Sequence, residues 1–201
     1  LNAFFTTAGK ITYQGAAHVN GSRTLTVTVN DGQNANNTAT ATSTINITAV
    51  NDAPVAASGS ATLTAVAEDT TNPAGTTVLS LFSGNFNDSK DAVTNGSSAN
   101  SLAGVAITAN AATATQGKWQ WQANGTTTWT DVPTTGLTNT AALYLAADTL
   151  LRFVPAANYS GTPGALTARL VDSSATGLTN GTSANVSTNG GTSAYSSTTV
   201  S

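Results

Sequence analysis

The feature that most constrains this chain is a pattern it contains twice. Ile11-Thr-Tyr-Gln-Gly-Ala-Ala-His-Val-Asn-Gly21 and Leu151-Arg-Phe-Val-Pro-Ala-Ala-Asn-Tyr-Ser-Gly161 run in register at an offset of 151 − 11 = 140 residues. The Ala-Ala pair and the closing Gly are identical, and Tyr13 stands where Phe153 stands. After a one-residue slip, Leu25-Thr26 meets Leu166-Thr167 and Asp31 meets Asp172, at 172 − 31 = 141. A repeat in sequence implies a repeated structural unit. The first copy continues through Thr38–Ile47 into Val50-Asn-Asp-Ala-Pro54, and the second continues to a strand-like Tyr195–Ser201. Residues 1–50 therefore read as the C-terminal part of a preceding repeat, and residues 51–54 as a linker. Residues 55–201 read as a nearly complete second module, short of the end of its final strand.

Both copies alternate apolar or β-branched residues with Thr, Ser and Asn, the mark of a half-buried strand. The spacing predicts strands at 61–66, 77–82, 105–109, 118–122, 142–145, 150–154, 165–171 and 194–200. Turn signals separate them, among them Asn72-Pro73, Asn95-Gly96, Asn124-Gly125 and Asn189-Gly190-Gly191. The class is all-β. Seven to eight short strands with such turns suggest an Ig-like antiparallel β-sandwich, with extra length in loops near 86–101 and 173–193.

Composition narrows the function. Only 7% of the 201 residues are charged. The six basic residues, Lys10, Arg23, Lys90, Lys118, Arg152 and Arg169, are scattered, so no patch exists to neutralise nucleic-acid phosphates. One His and no Cys exclude zinc–thiolate and iron–sulfur sites and disulfides. No apolar run reaches the roughly 20 residues of a membrane-spanning helix, so membrane insertion is not expected. Leu1–Lys10 lacks the basic start and apolar core of a secretion signal, and the chain reads as a piece of something larger.

Four stretches together resemble one family. They are Val50-Asn-Asp-Ala-Pro54; Ala67-Glu-Asp-Thr70; Phe86-Asn-Asp-Ser-Lys-Asp91 followed by Leu102-Ala-Gly-Val-Ala-Ile-Thr108; and Gly117-Lys-Trp-Gln-Trp121 with Trp129 and Leu150–Gly161. In this order they resemble the cadherin-like tandem repeats of giant bacterial (RTX-type) surface adhesins, over nearly the whole chain. The resemblance implies Ig-like or cadherin-like β-sandwich modules in tandem, calcium at module junctions, and an extracellular place on the bacterial cell surface. It also implies neighbouring repeats or like subunits as partners.

The nine acids carry the metal expectation. Calcium takes six to eight oxygens, largely carboxylate and carbonyl. With the linker entering at the top of a sandwich, strand direction sends Glu68 and Asp69 to the bottom pole. The same rule returns Asp88, Asp91 and Asp172 to the top beside Asp52. The expected ligands are thus Asp52, Asp88, Asp91 and Asp172 at one pole. Glu68 and Asp69 at the other pole would face the next junction. Lys90, between Asp88 and Asp91, works against a cation there.

Other features have plainer readings. Trp119 and Trp121 fall on one face of a strand, where they serve either as core with Trp129 and Phe153 or as a sugar-stacking platform. The Thr rows at 24, 26, 28 and at 38, 40, 42, 44 read as the solvent face of antiparallel strands. His18 sits in a loop equivalent to Asn158 and has no nucleophile beside it. Asp131 and Asp148 could form a carboxylate pair for glycoside hydrolysis, but nothing in the sequence raises either pKa. No activated nucleophile or acid–base pair stands out, so an enzyme is not expected. Three functions remain: a structural extender of an adhesin or fibre serving adhesion or biofilm formation; a module binding carbohydrate or a surface ligand; and a filament subunit assembled by strand addition.

Overall fold

The computed structural model describes residues 11–32 and 37–201, and the opening Leu1–Lys10 stretch lies outside the described residues. The chain divides into two compact units, Leu1–Val50 with Lys90–Ser98, and Asn51–Ser89 with Ala99–Ser201. The all-β class holds: among the described residues the paired strands of the sheets run antiparallel, and helix is limited to short turns.

In the first unit β1 (Gly21–Asn30) pairs with β2 (Thr38–Ile47) in unbroken register, from Gly21 opposite Ile47 to Asn30 opposite Thr38. Alternation places Leu25, Val27, Val29, Ile45 and Ile47 on one face and the Thr rows on the other. Thr28 and Thr40 touch through their hydroxyls at 3.3 Å. The Thr face is exposed as expected, but so is much of the aliphatic face: Leu25 is 37% and Val29 41% accessible. Lys90–Ser98 belongs here through Asn20, whose amide donates to Ser97 Oγ (2.8 Å) and whose Oδ1 accepts from Ser97 N (2.7 Å). Gly21 holds φ +87° with its α-carbon against the Asn95 carbonyl, a place no side chain fits.

The second unit has two main sheets. One orders β4 (Thr76–Thr77), β10 (Leu150–Pro155), β7 (Gly117–Gln122) and β8 (Thr130–Asp131). The other orders β12 (Ser183–Ala184), β9 (Ala142–Ala146), β6 (Leu102–Asn110), β11 (Leu166–Asp172) and β13 (Tyr195–Val200). A small sheet joins β3 (Val55–Ala56) to β5 (Phe86–Asn87). Inward side chains of both main sheets share one core, including Val105, Ile107, Leu145, Leu151 and Leu170. A smaller cluster of Ala106, Tyr144, Val171 and Val186 packs on the other face of the five-stranded sheet, so β6 is buried on both sides.

Two expected strands are absent. Residues 61–66 form no strand, although Ala61 N donates to Ser201 O at 3.0 Å. Residues 77–82 are mostly the helix α1 (Val78–Phe82). Thr77 caps it, its hydroxyl accepting from Ser80 N at 3.1 Å, and the buried Val78 and Phe82 lie four residues apart on one helical face. A five-residue stretch such as Val78-Leu-Ser-Leu-Phe82 is short enough to fit a strand or a helical turn, and the Thr77 cap favours the turn.

The repeat has a structural counterpart. In the first copy Val19 N donates to Ala16 O and His18 takes φ +60°; in the second, Tyr159 N donates to Ala156 O and Asn158 takes φ +58°. Gly21 and Gly161 follow at positive φ. Each turn then leads to an antiparallel pair, β1–β2 or β11–β13, closed by Asp31 N to Asn37 O (2.9 Å) or Asp172 N to Ala194 O (3.0 Å).

Candidate functional site

The predicted acids separate into three places. Asp52, Asp88 and Asp172 belong to the second unit, and Asp91 to the first. Glu68 and Asp69 are exposed near the Ala156–Tyr159 turn, at the other end of β11 from Asp172.

Asp88 and Asp172 are linked through two amides that sequence reading passed over. Asn51 Oδ1 accepts from Asn100 Nδ2 at 2.7 Å, and Asn51 Nδ2 donates to Ser193 O at 3.1 Å and lies 3.4 Å from Asp172 Oδ2. Asn100 N donates to Asp88 Oδ2 at 2.5 Å, and Asn100 Oδ1 receives the Ser173 hydroxyl at 3.3 Å. Ser174 N donates to Asp172 Oδ1 at 2.8 Å. Asp88 and Asp172 are both buried. Charge-assisted bonds of this kind are the stronger class and compensate the desolvation of a buried carboxylate. The phenol of Tyr195 is pushed above its ordinary pKa of 10.0, first by burial and then by the negative charge of Asp172. Ala53 and Pro54 are buried as well, and Ala53 N donates to Gly191 O at 2.8 Å. The 51–54 segment is thus seated in the second unit.

These donors are hard oxygens of the kind calcium takes. The carboxylates are not gathered as a metal centre: among the described residues, no three of His, Asp or Glu form a group that could hold an ion. Asp91 is buried in the first unit, where its main-chain carbonyl accepts from Ser97 Oγ at 2.6 Å. Asp69, at φ +62°, accepts from Asn158 N at 2.8 Å and so braces the repeated turn in the second copy.

No protein-family model, curated protein or solved structure matches the chain.

The aromatic residues resolve into two settings. Trp119 and Trp121 pack against the main core; Trp119 meets Phe153 edge to face at 5.3 Å, and its Nε1 donates to Gly164 O at 2.9 Å. Trp129 is not part of that group. It lies over the guanidinium of Arg152, 3.7 Å from the ring centroid. Arg152 is buried and donates to Gln120 Oε1, Asn72 Oδ1 and Pro73 O at 2.6–3.0 Å. Burial lowers its pKa below the usual guanidinium value, and the hydrogen bonds and the ring face take the place of water around its charge.

Asp131 and Asp148 have separate partners. Asp131 accepts from Gln120 Nε2 at 2.6 Å and pairs with Lys118 at 3.1 Å, while Asp148 accepts from Asn124 at 3.0 Å. The Gln120 bond, aided by Lys118 and opposed by slight burial, holds Asp131 below the usual carboxylate value. A glycosidic general acid needs the opposite shift.

Proposed function

We propose that the chain is a non-enzymatic, Ig-like extender module of a bacterial cell-surface adhesin or extracellular fibre. The observation that carries this reading is the repeated turn. His18 and Asn158, 140 residues apart in the sequence, take the same left-handed conformation and lead into the same antiparallel strand pair. One structural unit used in succession is how an extended array is built. Surfaces rich in Thr, Ser and Asn, with charge rationed to 7% of residues, suit a spacer that must stay soluble without binding.

Calcium is the separately testable part of this reading. Asp52, Asp88 and Asp172 come from three distant stretches, and the amide and carbonyl oxygens around Asn51 are further donors. A ligand at 100 times its Kd stabilises a fold by about 2.7 kcal/mol. Thermal unfolding in millimolar calcium and in excess chelator reads this directly. The expected result is a higher melting temperature with calcium; identical curves remove the ion and leave the extender. A carbohydrate array tests the extender itself. No saturable glycan binding is expected, and micromolar binding to a defined glycan would replace this reading with a recognition module.

A further inference from the structure

A groove of about 580 Å³ opens in the second unit between the Ser60–Val66 arm and residues 159–166. Its apolar lining includes Phe82, Trp119, Leu151, Phe153 and Leu166, with Glu68 as its charged member. Ser201 also lines it. Ser201 N donates to Gly59 O at 2.9 Å, and Ala61 N donates to Ser201 O at 3.0 Å. Those two bonds straddle Ser60 in the pattern of parallel strands. On its other side β13 is antiparallel to β11, with Val200 opposite Ala168 and Thr199 opposite Arg169. The groove therefore lies along the line of β13, with a strand partner established on each wall.

The first copy of the repeat shows what belongs there. Its β1 positions Gly21–Thr26 correspond to Gly161–Thr167, and β2 residues Thr42–Ile47 lie opposite them. Ile45 and Ile47 project on the same face as Leu25. The counterpart of Leu25 is Leu166, and Leu166 lines the groove.

We propose that this groove is a strand slot. Its occupant is an extended segment of the repeat's own Thr42–Ile47 pattern, entering in the direction of β13. It runs antiparallel to Gly161–Leu166 and parallel to Ala61–Val66, and its alternate aliphatic side chains rest on Trp119 and Phe153. A hairpin from a second molecule fits less well: β2 already carries β1 along one edge, and the slot has two walls. A small apolar ligand would fill the floor and leave the walls without a strand.

The test joins the Ser43–Val50 sequence directly to the chain after Ser201, so that it continues β13 in the register that Ala41 and Val200 share. A control carries the same segment with both isoleucines replaced by asparagine. The expected result is at least tenfold slower amide hydrogen exchange across Ala61–Val66, with a blue-shifted tryptophan emission, in the first chain and not in the control. Equal exchange in both chains overturns the proposal. So does protection in the unextended chain that grows with protein concentration, because a second molecule would then be the occupant.

Discussion

The two copies of the repeat share a turn and a strand pair, yet differ sharply in burial. In the second copy Leu151 and Phe153 are buried and Leu170 is inaccessible. Their counterparts Ile11, Tyr13 and Val29 are 50%, 51% and 41% accessible. The difference teaches which features are local. The left-handed residue within the turn, the glycine after it and the cross-strand register arise wherever the pattern occurs. Burial requires the other sheets, which the second unit supplies as β6, β7, β9 and β10. Local chemistry sets the shape of the pair, and tertiary neighbours set its stability.

Substitutions at equivalent positions can break this contrast. The largest effect is expected at Leu170, where Leu170→Ala should cost about 2–5 kcal/mol as a core truncation. Val29→Ala, its counterpart, should stay within about 0.5 kcal/mol. Urea unfolding of the full chain measures both, and equal losses would show that the first pair has a buried face after all. Next comes Arg152, which stands where the first copy has Thr12. Arg152→Ala removes the donor to Gln120, Asn72 and Pro73 and uncovers Trp129. A loss of about 2–3 kcal/mol is expected, in the range of hydrogen bonds to a charged group. Thr12→Ala should leave the melting temperature unchanged. A smaller effect separates the paired aspartates. Asp172→Ala strips the partner of Ser174 N and should cost about 1–3 kcal/mol. Asp31→Ala, on an exposed hairpin end, should cost no more than about 0.5 kcal/mol.

The smallest effect concerns pH. The folded pKa of Asp131 lies below its ordinary value of 3.8. Its contribution is therefore complete above that value and is lost as pH falls below it. The carboxylate is largely exposed, so solvent screens the pair and the change should be slight. An Asp131→Asn chain should show a marginally flatter stability profile between pH 5 and about pH 2.5, and no difference at pH 7.

The central strands were legible because their alternation is long and their turn residues are strong. β6, β7, β9, β10, β11 and β13 each overlap a stretch read from the sequence. The two-residue strands β3, β4, β5, β8 and β12 carry too few positions for any period to register. Asp88 and Asp172 were legible as members of one pole because strand direction alone carries a loop to one end of a sheet. Asn51, Asn100 and Gln120 were not, since an amide signals nothing until its four hydrogen-bonding sites find geometry. The same limit applied to Trp129: strand parity separates faces, but the loop before β8 obeys no parity, and only the fold sets it on Arg152.

The two hydrogen bonds between Ser201 and the Gly59–Ala61 stretch have a mechanical consequence. They tie the entering arm to the last strand in parallel. If the second unit is drawn out by tension between Asn51 and Ser201, the two parallel strands are pulled in opposite senses along their own axes, across these two bonds. They are loaded in shear and must fail together, whereas a hairpin such as β1–β2, pulled at its two open ends, peels one bond at a time. Under tension the hairpin would therefore yield before these sheared clamps.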